Sequence, residues 1–234
     1  MRVRVFYMVP ALWCLATPSL AAGPAVTAAE TNVTLGAGFA QSSYSEHLTQ
    51  GDADSGLTPA LTAGAALLLP ATGNFDYYAA LRYNFSGGSG SAANFAEARL
   101  GGGLPFAGGA EIIPYLAAGY QSSNITSGGN AATYTSPLAG AGTKLDMPLT
   151  SRLVVSLGAE FLLLAGGSLA TKIQGVTLSS SGLGVTPEEH VELGLDGAAY
   201  GPMHVFAQAW VTHFSAAGTN TQTGVNLGIG YSFY

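Results

Sequence analysis

Charge is scarce in this sequence. Only 9% of its residues are Asp, Glu, Lys or Arg, where a typical soluble domain carries about 25%. Cysteine is nearly absent, with Cys14 alone, which excludes a disulfide framework and thiolate metal sites. Basic residues are few, seven against 13 acidic ones, so the chain lacks the positive surface that nucleic-acid phosphates require. Long apolar runs are missing too. Beyond the first twenty-odd residues, glycine or a polar residue interrupts every stretch before the roughly 18 residues of a membrane helix. Yet 48% of the residues are hydrophobic and 33 are glycine. Few architectures combine so little charge with so little continuous hydrophobicity.

The one continuous apolar run is N-terminal. Arg2 and Arg4 precede an apolar segment from Val5 to Leu20, and Ser19-Leu20-Ala21 supplies the small residues a signal peptidase recognises. Residues 1–21 therefore read as a signal peptide, with cleavage after Ala21, Ala22 or Ala29, and residues 30–234 as a single domain. Cys14, preceded by the bulky Trp13, reads as part of the leader rather than as a lipid-attachment site. Loss of Arg2 and Arg4 takes the formal net charge from -6 to -8.

The dominant period of the remaining chain is two. In "FDYYAALRYNF", Phe75, Tyr77, Ala79, Leu81, Tyr83 and Phe85 alternate with Asp76, Tyr78, Ala80, Arg82 and Asn84. A strand places these two sets on opposite faces. The apolar set is aromatic at its ends and small in the middle, as a lipid-facing strand between interfacial belts would be. The same signal predicts ten strands, at 33–42, 57–69, 74–86, 93–104, 111–121, 137–147, 152–163, 190–200, 203–214 and 223–233. Eight strands is the alternative, if two short segments are only loop hairpins.

Long and short connections alternate strictly between those strands. The first, third, fifth, seventh and ninth include "SSYSEHLTQGDADSG", "SSNITSGGNAATYTS" and the 164–189 stretch; the others are "PATG", "PFAGGA", "PLTS" and "GP". An up-and-down transmembrane barrel with both termini in the periplasm predicts that pattern. A sheet in hydrocarbon leaves no edge unpaired, so the last strand is expected to close on the first. The final stretch "GVNLGIGYSFY" alternates Val225, Leu227, Ile229, Tyr231 and Phe233 up to Tyr234. It resembles the C-terminal assembly signal of bacterial outer-membrane proteins, with Tyr231, Phe233 and Tyr234 as its aromatic end. "GAEIIPYLAAGYQSS" and "SPLAGAGTKLDMPLTSRLVVSLGAEFLL" likewise resemble the small outer-membrane β-barrel, porin-like families. That resemblance implies an outer-membrane location after export and contact with membrane lipid and lipopolysaccharide. It also implies handling by the barrel assembly machinery and a monomeric state.

With the apolar phase facing lipid, the complementary phase lines the lumen: Arg82, Glu97, Arg99, Lys144, Asp146, Glu160, Glu192, Asp196, His204, Gln208 and Asn226. A ten-stranded barrel is narrow, and buried charges need partners, so a polar plug is expected, with Arg82, Arg99 and Lys144 set against Glu97, Glu160 and Glu192. A conductive lumen is the alternative. No cofactor or metal is expected. His47, His190, His204 and His213 fall on separate elements, and "GAGTK" lacks the spacing of a phosphate loop. Glu46, His47, Asp52 and Asp54 make the first long loop acidic.

One stretch carries a catalytic pattern. "THFSAAGTN" resembles the His-x-Ser motif of the outer-membrane lipid A deacylases, which implies an acyl-ester hydrolase with Ser215 as nucleophile and His213 as base. Two residues apart on a strand, both would point outward. Ala216 replaces the Asn of that motif, and its acid would fall near Leu227, leaving Glu188 or Glu189 as substitutes. The leading expectation is a non-enzymatic barrel with a structural, surface-interaction or limited small-solute role. Residues 164–189 are its best contact surface.

Overall fold

The computed structural model describes residues 23–45, 52–54, 56–71, 74–88, 91–127, 130–173, 176–181, 184–215 and 219–234. The leader with Cys14, and Glu46 and His47 of the acidic loop, lie outside the described residues. In chain order the elements are α1 (Pro24–Ala29), β1 (Asn32–Ser45), β2 (Asp52–Asp54), β3 (Thr58–Pro70), β4 (Asp76–Gly88) and β5 (Ser91–Phe106). There follow β6 (Ala110–Ser127), β7 (Asn130–Thr150), β8 (Leu153–Leu164), β9 (Ser168–Ile173), β10 (Val176–Ser181), β11 (Thr186–Tyr200), β12 (Met203–Ser215) and β13 (Thr219–Ser232).

Ten of these strands close into an antiparallel up-and-down barrel: each pairs with the next, β8 passes to β11, and β13 returns to β1. The closing seam runs from Asn32↔Ser232 to Ser45↔Thr219. The sheet therefore has no free edge within the barrel wall, which is what hydrocarbon demands. All ten strands read from the alternation are present, each within a few residues of its expected span or extended beyond it, and the eight-stranded alternative is excluded.

The wall is apolar outside and polar inside. Leu35, Leu81, Leu116 and Leu227 are each more than 60% exposed, while Glu97, Arg99 and Glu160 are buried to 5% or less. That inversion of a soluble core gives a stable particle only with hydrocarbon around it. Phe75, Tyr77, Tyr200, Tyr231 and Phe233 stand on the outer surface near the short turns; Phe39, Tyr83 and Tyr120 form a second aromatic level toward the long loops. The short turns rely on glycine where the backbone enters the left-handed region, at Gly201 (φ 54) between β11 and β12 and at Gly108 (φ 83) between β5 and β6.

The wall is uneven in height. β6 and β7 have 18 and 21 residues, against the 12 of β8. Above Leu138, which pairs with Leu164 at the top of β8, the edge of β7 is taken by β9, from Thr135↔Ser168 to Ala131↔Lys172. The Thr135 and Ser168 hydroxyls lie 2.7 Å apart across that junction, and β10 pairs onto β9. Part of the 164–189 stretch is thus a hairpin that continues the wall rather than an irregular loop.

Candidate functional site

The site is the lumen, and the alternation builds it. Residues of one parity on each barrel strand point inward, and at mid-height five of them carry charge: Arg82 on β4, Glu97 and Arg99 on β5, Glu160 on β8 and Glu192 on β11. Arg82 contacts Glu97 and Glu192 at 2.6 Å each and Glu160 at 3.2 Å. Arg99 contacts Glu160 at 2.5 Å, Glu97 at 2.9 Å and Glu192 at 3.2 Å. Each guanidinium thus reaches all three carboxylates, using the planar fork that makes Arg suited to buried carboxylate pairing.

Neutral groups complete the layer. Tyr115 donates its hydroxyl to Glu160 at 2.7 Å, and Gln208 donates to Glu192 at 3.0 Å. Arg99 lies 4.8 Å over the Tyr115 ring and Arg82 lies 4.9 Å over Phe95, so each cation also meets an aromatic face. His190 sits 3.1 Å from Arg82 and 2.7 Å from the Thr212 hydroxyl, its ring between Phe95 and Trp210. Glycine makes room for this layer. A Cβ at Gly158 would stand 2.6 Å from Glu192 Cγ, and one at Gly142 would stand 2.7 Å from both Glu160 Cγ and the Tyr115 ring. Below the girdle a cavity of about 160 Å³ opens, bounded by Arg82, Arg99 and Glu192 above and by Ala29, Glu30 and Lys144 toward the end of the short turns.

That lower level is built differently. Lys144 bonds Glu30 and lies 3.4 Å from Asp146. His204 Nδ1 lies 2.5 Å from Asp196. Glu111 stands opposite Asp146 in the β6–β7 register, and it and Asp76 are buried as completely as Asp146. Neither Glu111 oxygen has a hydrogen-bond partner among the described residues, and Asp76 Oδ2 has none. Burial pushes the Glu30 carboxyl up to about 7, against the pull of Lys144, with Asp146 and Asp196 adding to the rise. Glu30 precedes the first strand.

The structure thus joins Arg82, Glu97, Arg99, Glu160 and Glu192 in one network. It separates Lys144 from them, because Lys144 pairs with Glu30 and Asp146 nearer the end of the short turns. Asp196 and His204 form a pair of their own. Glu30, Asp76, Glu111, Glu188 and His190 are lumen residues that the sequence reading left out. Strand parity alone would have found Asp76, Glu111, Glu188 and His190, since each shares the phase of a lumen residue on its strand. Glu30 has no such signal. Among the described residues no group of three or more His, Cys, Asp and Glu is arranged to hold a metal ion.

On the outer surface, His213 and Ser215 are both exposed. His213 Nδ1 lies 3.0 Å from the Thr221 hydroxyl. Glu189 stands opposite His213 in the β11–β12 register, whereas Glu188 turns inward and accepts from Gln121 at 2.7 Å. Among the described residues no hydrogen bond joins Ser215 to His213, and Ala216 lies outside them. The aromatic end is exposed, with Tyr231 and Phe233 rings 5.5 Å apart and the Phe233 amide donating to Thr31 O at 3.0 Å.

No protein-family model matches the sequence, and no curated protein matches it. Among solved structures it is similar to the outer membrane protease OmpT from Escherichia coli, at 12% identity over 87% of this chain and 96% of that one, with a TM-score of 0.44. The attachment invasion locus protein Ail of Yersinia pestis is 11% identical over 87% of this chain and 99% of its own, at 0.41. Neisserial surface protein A is 14% identical over 86% and 97%, at 0.38.

Proposed function

We propose that this chain is an outer-membrane barrel of the surface-interaction kind. Its lumen is closed, and its working part is the wall that rises beyond the external rim. The observation that carries the reading is the β6–β7–β9–β10 extension. A strand of about 9–11 residues crosses a bilayer, so β6 and β7 have residues to spare. The eight residues of β7 before Leu138 rise above the top of β8 by about 27 Å along the strand. The strict alternation of long and short connections puts this extension on the side opposite the termini, which is the cell exterior in a barrel of this topology. The girdle of two guanidiniums and three carboxylates, each reaching across the lumen, supports a closed interior. The apolar outer face supports lipid and lipopolysaccharide as its surroundings.

The test removes residues 168–181, leaving the ten barrel strands intact, and compares adhesion of expressing cells to immobilised extracellular-matrix proteins. Adhesion is expected to fall at least tenfold while the protein still reaches the outer membrane and stays folded. Unchanged adhesion would overturn the reading. So would unitary conductance in planar bilayers that shifts with Arg82→Ala, or a lipid A acyl pattern altered by the wild type and restored by Ser215→Ala.

A further inference from the structure

The segment before β1 has no strand to join, yet it is among the best-buried parts of the molecule. Val26 is 0% exposed, Thr27 1% and Glu30 4%. α1 lies in the periplasmic mouth of the barrel, its apolar side packed in one cluster with Leu68, Ile113 and Val154 from three different staves. Hydrogen bonds fasten it at both ends. Gly23 donates to Gly109 O in the β5–β6 turn at 3.1 Å. Thr31 trades hydrogen bonds with Leu68 on β3, at 3.1 and 3.2 Å, and its carbonyl accepts from the Ser232 hydroxyl at the end of β13 and from the Phe233 amide just beyond it. Between these anchors Glu30 reaches up to Lys144, and Ala29 and Glu30 form part of the floor of the 160 Å³ chamber.

From this arrangement we infer that residues 23–31 are a stopper belonging to the mature protein, and that export processing therefore falls after Ala21 or Ala22 and not after Ala29. The sequence offers all three positions, because Thr27-Ala28-Ala29 has the small residues a signal peptidase accepts. A cut after Ala29 would remove Val26 and Ala29 from the mouth and bare Leu68, Ile113 and Val154 to the periplasm. Burial of that apolar surface is itself a stabilising term. The stopper obstructs the chamber from below while the Arg–Glu girdle obstructs it from above. Against β11 and β12 it leaves a gap of about 130 Å³, beside Ala28, His204 and Ser232.

Two measurements decide the matter. N-terminal sequencing and intact mass of the protein extracted from outer membranes are expected to give a chain starting at residue 22 or 23; a chain starting at residue 30 would overturn the inference. Ser156 is buried and lines the chamber, and the mature chain has no cysteine of its own. Ser156→Cys is therefore a clean reporter for a membrane-impermeant thiol reagent applied from the periplasmic side. Labelling is expected to speed up at least tenfold when Val26→Asp is added. Should that variant fail to reach the membrane, Glu30→Ala, which cuts only the contact to Lys144, is expected to speed labelling at least threefold. Equal rates with and without either change would show that the segment does not guard the chamber.

Discussion

The girdle and the floor of the lumen solve the same problem, buried charge in a narrow barrel, in opposite ways. In the girdle every carboxylate meets two guanidiniums, and Tyr115 and Gln208 take up further positions on Glu160 and Glu192. At the floor Glu30 and Asp146 share Lys144, while Glu111 has no bonded partner among the described residues and Asp76 meets no cation among them. Breaking a buried pair leaves an uncompensated charge, which costs far more than the net worth of the pair. The girdle is therefore a lock that resists loss of any member. The floor holds buried carboxyls without bonded partners, and α1 docks there rather than against the girdle.

The largest effect that would sharpen this contrast is Arg82→Met. Three carboxylates would then face Arg99 alone, and destabilisation of about 3–5 kcal/mol is expected, read by denaturant unfolding in detergent micelles. A loss under about 1 kcal/mol would mean the girdle behaves as a solvated surface pair. Next comes one substitution made at both levels. Glu97→Gln removes a charge that both arginines use and is expected to cost about 2–3 kcal/mol. Glu111→Gln replaces a buried carboxyl that nothing pairs, opposite Asp146, with an amide able to donate, and is expected to stabilise by about 1 kcal/mol. Changes of the same sign at both sites would erase the distinction between lock and floor.

How far the sequence reveals these two levels follows from what each is made of. The wall is legible because period-two alternation and turn chemistry are local: "FDYYAALRYNF" announces β4 without reference to any other strand. The phase of Arg82, Glu97, Arg99, Glu160 and Glu192 is legible for the same reason. That Arg82 and Arg99 face these three glutamates is expected from the sequence, but which group contacts which is not legible there. Arg82 and Glu192 are 110 residues apart, and only barrel closure brings β4 within reach of β11 across the lumen. The separation of Lys144 from the girdle depends on strand stagger, which shifts which inward residues share a level. α1 has no legible signal of docking, since "PAVTAA" continues the small, apolar composition of the leader, and its burial comes from the shape of the mouth. The hairpin β9–β10 hides in Ser- and Gly-rich sequence that reads equally well as loop.

The last prediction concerns the boundary between lock and floor, where Glu30 holds the stopper to Lys144. Its carboxyl is raised from the ordinary 4.5 to about 7, chiefly by burial. A carboxyl raised on docking contributes stability that is fully present below 4.5 and is lost progressively as the pH rises to about 7, above which the docked state has to keep a desolvated charge. The Lys144 contact offsets part of that loss, and Asp146 and Asp196 add to it. Docking of α1 is therefore expected to weaken between about pH 4.5 and pH 7. The Glu30 amide, which donates to Val26 O at 2.9 Å, reports it directly. Its hydrogen-exchange protection, corrected for intrinsic rate, should fall several-fold over that window, while amides of β4 and β11 beside the girdle hold theirs. Glu30→Gln should flatten the response. A flat wild-type profile, or an equal fall at the girdle, would mean that the two levels titrate as one body.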